Sequence, residues 1–209
     1  EHRDNIDKFE YVAEACRKLN VNLVWSDRLL PYGRGINMKD KILDPCDLEI
    51  FFEKMYQIRR SYNNKWFNRT TIGMHRALQF LILNRHGQKN VIPYTCHAGR
   101  SLMTILASGE VVPCRRMPVV VGNLRSQSFE DIYYSSLLLK RLRNRKHISE
   151  GCELCEYAQQ CNGGLRCMSY SYYGTPFKAD PQCFKLYRRL PVLNKEEETY
   201  VKRECCCAH

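Results

Sequence analysis

The second half of the sequence contains closely spaced cysteines of the kind that hold a metal centre. Five of them follow one another within residues 152–183: Cys152, Cys155, Cys161, Cys167 and Cys183. Such spacing lets one loop wrap a zinc ion or an iron–sulfur cluster. A zinc ribbon needs two Cys-x2-Cys pairs and this segment has one, whereas Gly163 and Gly164 allow the close backbone approach that suits a cluster. The pattern favours an iron–sulfur cluster and leaves zinc as the alternative.

Two more cysteines bracket a predicted β-hairpin in the stretch CHAGRSLMTILASGEVVPC. The runs LMTIL and EVVP predict two short strands, and Gly109 between them can adopt the left-handed conformation that a three-residue hairpin loop requires. Cys96 and Cys114 are therefore expected to lie near the open end of the hairpin.

The composition indicates that these thiols serve something other than folding. With 209 residues, 44% of them hydrophobic, the chain can bury a core without disulfides, so its size does not explain twelve cysteines. Residues 1–20 are charged and amphipathic, without the apolar run of a secretory signal, and no apolar stretch is long enough to span a bilayer. We therefore predict a cytoplasmic location, no membrane partner, and cysteines that bind metal.

The net charge of +11 raises the question of a nucleic-acid partner. The densest basic run, Lys140–His147, continues a helical pattern and has no interleaved aromatic residues of the kind that stack on bases. A nucleic-acid partner is therefore disfavoured, and a basic zinc-binding nucleic-acid module remains only as a rival interpretation. A cleft for an acidic peptide or substrate is a minor alternative.

The first ninety residues predict helices that alternate with a buried strand, the repeating step of a parallel α/β sheet. A helix is expected over residues 5–19 and a strand over Val21–Ser26. Asp44 is expected to cap a second helix with Pro45 in its first turn, and a third helix is expected over Ile72–Asn84. The second helix should bury one stripe of side chains: Leu48, Phe51, Phe52 and Met55.

Several motifs in a fixed order resemble one known domain. The hairpin residues Cys96, Gly109 and Cys114 are followed by GNL and SFEDIY within Gly122–Tyr133, then by Cys-x2-Cys-x5-Cys-Asn-Gly-Gly, then by ADPQC. This order resembles the SPASM domain of radical S-adenosylmethionine enzymes and covers Val91–Phe184. The upstream region resembles the second half of the partial (β/α) barrel of those enzymes, with RLLPYGRG similar to a loop of SPASM-bearing members.

The resemblance implies an α/β fold in three parts. Residues 1–90 would be the C-terminal part of the partial barrel, residues 91–190 a loop-rich α+β SPASM domain with a β-hairpin and a helix, and residues 191–209 a tail. The helix is expected to be capped by Ser128 and to run to about Arg143. The Cys-x3-Cys-x2-Cys motif of the family is absent, so we expect a C-terminal portion that is inactive alone.

The resemblance also assigns the ligands of two auxiliary clusters, expected to be of the 4Fe–4S type. The outer cluster would be held by Cys152, Cys155, Cys161 and Cys183. The inner cluster would be held by Cys96, Cys114 and Cys167. Leu165 stands where many members have a further cysteine, so the fourth inner ligand is open. The alternatives are a fourth ligand from the substrate, a fourth ligand from a tail thiol (Cys205, Cys206 or Cys207), or a smaller cluster.

The implied full-length enzyme would bind S-adenosylmethionine and a third 4Fe–4S cluster, and would take electrons from a reductant such as flavodoxin or ferredoxin. The family resemblance implies a peptide or protein substrate, as in peptide or sulfatase maturases, with cofactor or tetrapyrrole synthesis as the alternative. Arg28 and Arg34 flank a strand-end loop and are candidates for contact with S-adenosylmethionine or substrate, or for structural salt bridges. Asp180 is expected to cap a turn.

Overall fold

The computed structural model describes residues 1–63, 69–88 and 91–187, which form two compact units. The first unit consists of Glu1–Leu29, the described part of Met38–Val91, and the described residues from Gln182 onward. The second unit consists of Leu30–Asn37 and Ile92–Pro181. Each unit has its own hydrophobic core, so each is described separately.

The first unit begins with the predicted amphipathic helix. A 3-10 turn at Ile6–Lys8 leads into α1, Phe9–Lys18, which buries Phe9 and Ala13. Strand β1, Leu23–Trp25, follows as expected, but of its three residues only Val24 is buried. The strand is therefore less buried than a central strand of a parallel sheet, because β2 is its one neighbour among the described strands.

The second strand lies where a helix was predicted. Strand β2, Thr71–Gly73, pairs in parallel with β1 and places Ile72 opposite Val24. The predicted helix over Ile72–Asn84 is thus wrong in its first half, and α3 spans Gln79–Arg85. Leu78 precedes α3 with a φ of 71°, a left-handed conformation that stops the helix from extending toward β2.

Helix α2, Pro45–Asn63, forms the centre of the first core as predicted. The Asp44 carboxylate accepts a hydrogen bond from the Asp47 backbone N–H at 2.8 Å, which confirms the predicted cap. The predicted stripe is at most 2% exposed throughout: Leu48, Phe51, Phe52 and Met55. The short helix α8, Phe184–Tyr187, packs on α2, with the ring of Phe184 edge-on to Phe52.

The second unit contains the predicted hairpin and a third strand that the sequence did not indicate. Strands β3, Thr104–Ile105, and β4, Glu110–Val112, are antiparallel, and Gly109 adopts a φ of 87° in the loop as expected. Strand β5, Gly122–Asn123, pairs antiparallel with β4. The hairpin prediction is confirmed, with strands shorter than the apolar runs suggested.

The single helix predicted from Ser128 to Arg143 is two helices. Helix α4 spans Phe129–Ser135 and α5 spans Leu137–Arg143. Ser128 caps α4 as predicted, because its Oγ accepts the Asp131 N–H at 3.0 Å. Ser136 is extended between the helices and its Oγ accepts the Leu139 N–H at 3.4 Å, so a second cap interrupts the continuous helical pattern.

Two more helices, which the sequence did not indicate, lie in the cysteine-rich region. Helix α6 spans Ala158–Cys161 and α7 spans Arg166–Tyr173. The stretch RLLPYGRG, expected to be a loop, leads into 3-10 turns over Gly33–Lys41 with a break at Met38. Among the helices of the described residues, none combines the length and apolarity needed to cross a membrane.

Candidate metal centre

The two hairpin cysteines lie close together in the second unit. Cys96 and Cys114 both pack against the core around Val111 and Met117. Cys114 forms an isolated antiparallel bridge with Met117, which turns the chain just beyond β4. The thiols are near enough for Cys114 to act electrostatically on Cys96. The hairpin thus brings the thiols at its two ends within interaction distance.

Backbone N–H groups are directed at both sulfur atoms. The N–H groups of Ala98 and Arg166 hydrogen-bond to the Cys96 sulfur. The N–H of Arg116 lies 3.5 Å from the Sγ of Cys114. Hydrogen bonds of this type stabilise the thiolate form and are one way in which proteins set the potential of an iron–sulfur cluster.

Burial raises the pKa of the Cys96 thiol above its ordinary value, and the proximity of Cys114 adds to this rise. The two N–H donors and the Arg166 guanidinium oppose it. In the metal-free protein Cys96 is therefore protonated at neutral pH. A metal ligand must be a thiolate, so binding at Cys96 would release a proton.

The cysteines of the second group follow one another through consecutive turns. The N–H of Cys152 donates to the Ser149 carbonyl at 2.9 Å, and the N–H of Cys155 donates to the Cys152 carbonyl at 2.9 Å. Cys161 ends α6. Cys152 is buried, and the other two are half-buried. The segment is thus a chain of tight turns, as the spacing of its cysteines suggested.

A glycine pair holds the end of this segment against its neighbours. Gly163 and Gly164 have φ angles of 80° and 75°. A Cβ atom on Gly163 would stand 2.3 Å from the Ser149 Oγ, and one on Gly164 would stand 2.7 Å from Asp180. No larger residue fits at either position without displacing the packing.

Asp180 ties the glycine pair to a distant part of the chain. Its side chain is 3% exposed, and its Oδ2 accepts the Leu165 backbone N–H at 3.1 Å. The Asp180 N–H in turn donates to the Gly163 carbonyl at 3.1 Å. Asp180 was expected only to cap a turn, and its contacts extend to the loop that carries Cys161.

Arg166 is a buried charge at this site, and the sequence analysis did not single it out. It is 3% exposed. Its Nη1 donates to the Ser149 Oγ at 3.1 Å and to the Pro176 carbonyl at 2.7 Å, and its Nη2 donates to the Asn162 Oδ1 at 2.8 Å. The sequence feature that could have indicated Arg166 is its position directly before Cys167, after the glycine pair.

The Arg166 charge acts on thiols of both cysteine groups. Burial lowers the pKa of Arg166, and the thiols of Cys96, Cys152 and Cys161 oppose this shift. Cys96 and Arg166 also line one recess together with Asn162. The guanidinium stays charged at neutral pH. One cation therefore lies within electrostatic reach of the hairpin pair and of the turn segment.

The remaining predicted ligands belong to different units of the chain. Cys167 is buried in the first turn of α7, and Cys183 belongs to the first unit, where it packs against the core. In the described ranges, no three His, Cys, Asp or Glu side chains form a ready-made metal site. Cys205, Cys206 and Cys207 lie outside the described residues. The two ligand sets stay predictions.

The two arginines proposed for S-adenosylmethionine or substrate differ in exposure. Arg28 is buried in the first unit, where its Nη1 donates to the Gln182 Oε1 at 3.0 Å. Gln182 in turn donates to the Leu43 carbonyl at 2.7 Å, so Arg28 takes part in a structural network. Arg34 is exposed in the second unit. Their proposed role in binding stays a prediction.

The chemistry of the site fits an iron–sulfur cluster. Its donors are soft thiols, two of which receive N–H hydrogen bonds. Its buried cation, Arg166, has no carboxylate at ion-pair distance among the described residues. A cluster with thiolate ligands is anionic, and so it suits a site that contains a buried cation.

Comparison with known families supports the same conclusion. The sequence model of the SPASM family, described as an iron-sulfur cluster-binding domain, matches residues 96–162. Residues 96–162 therefore resemble the SPASM domain, as the order of their motifs predicted. The match begins at the first hairpin cysteine and ends at Asn162, so it includes the hairpin pair and the turn segment up to Cys161.

Curated relatives extend the similarity beyond the residues that match the SPASM family. The chain is 25% identical over 196 residues to the AdoMet-dependent heme synthase of Methanosarcina barkeri, covering 88% of the chain and 53% of that protein. It is 23% identical over 201 residues to the AdoMet-dependent heme synthase of Nitratidesulfovibrio vulgaris, covering 90% of the chain and 53% of that protein. The chain spans about half the length of these relatives.

Solved structures share the fold of the chain. Native anSMEcpe with bound AdoMet matches with a TM-score of 0.59 at 17% identity, over 90% of the chain and 51% of that protein. Native anSMEcpe with bound AdoMet and Cp18Cys peptide matches with a TM-score of 0.57 at 16% identity, over 90% and 52%. The mixed α/β class and the resemblance to the C-terminal portion of radical S-adenosylmethionine enzymes with a SPASM domain are confirmed.

Proposed function

We propose that this chain is the auxiliary-cluster portion of a radical S-adenosylmethionine enzyme. The observation that carries the proposal is the position of the buried Arg166 beside both cysteine groups. Its guanidinium bonds to Ser149 and Asn162 at the two ends of the turn segment, and it lines one recess with Cys96. Arg166 follows the segment that matches the SPASM family, and its partners Cys96, Ser149 and Asn162 lie within that segment. The proposal extends to two 4Fe–4S clusters.

The proposed ligand sets are the two implied by the family resemblance. The outer set is Cys152, Cys155, Cys161 and Cys183. The inner set is Cys96, Cys114 and Cys167. When bound, such clusters supply electron transfer or a binding position for substrate. The residues of this chain hold the thiols, exclude water by burial and donate hydrogen bonds to sulfur.

The whole protein would add the parts that this chain lacks. No Cys-x3-Cys-x2-Cys motif is present in the 209 residues, so we expect no cleavage of S-adenosylmethionine by these residues alone. The third 4Fe–4S cluster, the S-adenosylmethionine site and the use of flavodoxin or ferredoxin as reductant are proposed for the whole protein. A cytoplasmic location is proposed because reduced thiols and clusters persist in that compartment.

We infer that a tetrapyrrole is the first candidate for the substrate. The two AdoMet-dependent heme synthases align with 88% and 90% of the chain, well beyond the SPASM residues. Tetrapyrroles of heme synthesis carry carboxylates, and a chain with a net charge of +11 attracts anions. Sequence similarity over both units therefore favours this class over the peptide class that the resemblance first suggested.

A peptide or protein substrate is the second candidate. The observation in its favour is the shared fold with anSMEcpe, whose structure was solved with AdoMet and a Cp18Cys peptide. At 16% identity this likeness concerns the fold.

The experiment uses the anaerobically purified product of the complete open reading frame, titrated with haemin as the tetrapyrrole probe. We expect a saturable shift of the Soret band with one site per chain. A Cp18Cys peptide of the kind bound to anSMEcpe serves as the matched probe, followed by changes in the cluster spectrum. Absence of a haemin shift, together with a saturable response to the peptide, would overturn the tetrapyrrole assignment and leave the cluster assignment standing.

A further inference from the structure

Arg166 is a buried cation whose side-chain partners are all neutral. Its guanidinium donates to a hydroxyl, a carbonyl and an amide oxygen, from Ser149, Pro176 and Asn162. Within the part of the chain that the structure describes, no carboxylate lies at ion-pair distance from it. A charge that is 3% exposed and lacks a counterion is costly, so this position calls for an anion.

The hydrogen bonds place the guanidinium at both ends of the turn segment. Ser149 accepts from Arg166 through its Oγ and from the Cys152 N–H through its carbonyl. At the other end, Asn162, which follows Cys161, accepts through its side-chain amide. The charge is therefore fixed relative to the thiols of this segment and cannot swing into solvent.

The backbone of the same residue contacts the other cysteine group. The Arg166 N–H hydrogen-bonds to the Cys96 sulfur, and both residues line one recess. Arg166 thus contacts the hairpin pair through its main chain and the turn segment through its side chain. The Arg166 charge acts on thiols of both groups: Cys96 of the hairpin pair, and Cys152 and Cys161 of the turn segment.

We propose that Arg166 is the shared counterion of the two auxiliary clusters and raises the reduction potential of both. This inference rests on the proposed function, because it requires clusters at the two cysteine groups. Reduction adds one electron, and hence one negative charge, to a cluster, and a fixed cation nearby stabilises the more negative state. The electron comes from the added reductant, and no bond within the cluster is broken.

The test is a potentiometric titration of the cluster-loaded, full-length protein with dithionite, followed by electron paramagnetic resonance. Arg166→Gln removes the charge and keeps hydrogen-bonding capacity. At the ambient potential where a wild-type cluster is half reduced, we expect the ratio of reduced to oxidised cluster to fall about tenfold in this variant, which corresponds to about 59 mV for a one-electron couple. Both clusters should shift in the same direction.

Two further variants separate charge from shape. Arg166→Lys keeps the charge and loses the forked geometry, so its clusters should titrate within about threefold of wild type by the same ratio. Arg125→Gln removes one charge from the turn after β5, where the side chain bonds to the Ser108 carbonyl of the hairpin loop at 2.9 Å, and it should leave both midpoints unchanged. Iron and sulfide are measured for every variant before titration.

Each outcome decides the inference. An Arg166→Gln protein with wild-type iron and unchanged midpoints would overturn it. If the Arg166→Gln protein does not bind iron, the Arg166→Lys variant decides. An Arg166→Lys protein that binds iron and has near-wild-type midpoints supports the counterion role. An Arg166→Lys protein that also lacks iron shows that the shape of the side chain matters rather than its charge, and this result would overturn the inference. A wild-type protein without iron would refute the proposed function itself, which keeps the two failures distinguishable.

Discussion

Gly163 and Gly174 both have positive φ angles, but only Gly163 has a neighbour where a Cβ atom would stand. Alanine substitutions at the two glycines therefore distinguish the free-energy cost of backbone strain from that of a steric clash. Gly174→Ala should cost about 1 kcal/mol of unfolding free energy through strain alone. Gly163→Ala should cost about 1–3 kcal/mol more, because its Cβ would meet the Ser149 side chain. Denaturant unfolding of the metal-free proteins gives both values, and equal losses would contradict the packing seen here.

Substitution of Cys155 tests the outer ligand set by removing one proposed ligand. Cys155→Ala should remove the iron of one cluster and leave the other, because the proposed inner ligands are different residues. Cys16→Ala is the matched control, since Cys16 packs against the helical core of the first unit. Iron content after anaerobic reconstitution is the measurement. Wild-type iron in Cys155→Ala would refute the assignment.

The cap of α4 is an element-scale feature that the sequence and structure share. Ser128→Ala removes the oxygen that accepts the Asp131 N–H at 3.0 Å and should cost about 1 kcal/mol. Ser126→Ala removes a hydroxyl that bonds only to the Asn123 carbonyl within the preceding turn, at 3.3 Å, and should cost less. Chemical denaturation compares the two variants. A larger loss in Ser126→Ala would show that the cap is not what begins this helix.

Helices α1 and α2 are linked through Glu14. Its carboxylate accepts hydrogen bonds from Arg17 on α1 and from the Tyr62 hydroxyl on α2, at 2.8 Å and 3.1 Å to Oε2. The hydrogen bond with Arg17 is the main cause that lowers the pKa of Glu14 from 4.5 to about 2. Because the folded-state pKa lies below the ordinary value, the stabilisation is present above pH 4.5 and is lost as the pH falls toward 2.

The corresponding variant is Glu14→Gln, compared with wild type by denaturant unfolding across this pH range. At pH 7 the variant should unfold at lower denaturant concentration, and the difference should shrink as the pH falls through the window. Arg17→Gln should lose the same interaction from the other side, so the double variant should be less destabilised than the sum of the two singles. A difference that stays constant down to pH 2 would contradict the link.

The elements that local patterns specify were predictable, and those that depend on a distant partner were not. Helix α2 was expected because its cap and apolar stripe lie within a few turns of one another. The apolar spacing around Ile72 also fits a helix, but Ile72 pairs in parallel with Val24, almost fifty residues away in the sequence. The break at Ser136 was missed because a serine within an amphipathic pattern is compatible both with a continuous helix and with a cap that starts a new one.

At the scale of the whole molecule, the sequence predicted the ligand types and the structure added the charge that they share. Cysteine spacing indicated a cluster because ligand chemistry is carried by residue type and short intervals. Arg166 and Asp180 were missed in these roles, since their partners Ser149 and Leu165 are brought close by folding and not by spacing. Long-range hydrogen bonds of this kind have no periodic signature in a single sequence.

The central claim is that the two cysteine groups hold iron–sulfur clusters, and metal and sulfide analysis of the anaerobically purified chain tests it most directly. Two 4Fe–4S clusters predict a brown protein with about eight iron and about eight acid-labile sulfide per chain. The Cys155→Ala and Cys167→Ala proteins should each lack the iron and the sulfide of one cluster. A colourless protein that contains zinc without sulfide would contradict the claim and support the zinc-binding alternative.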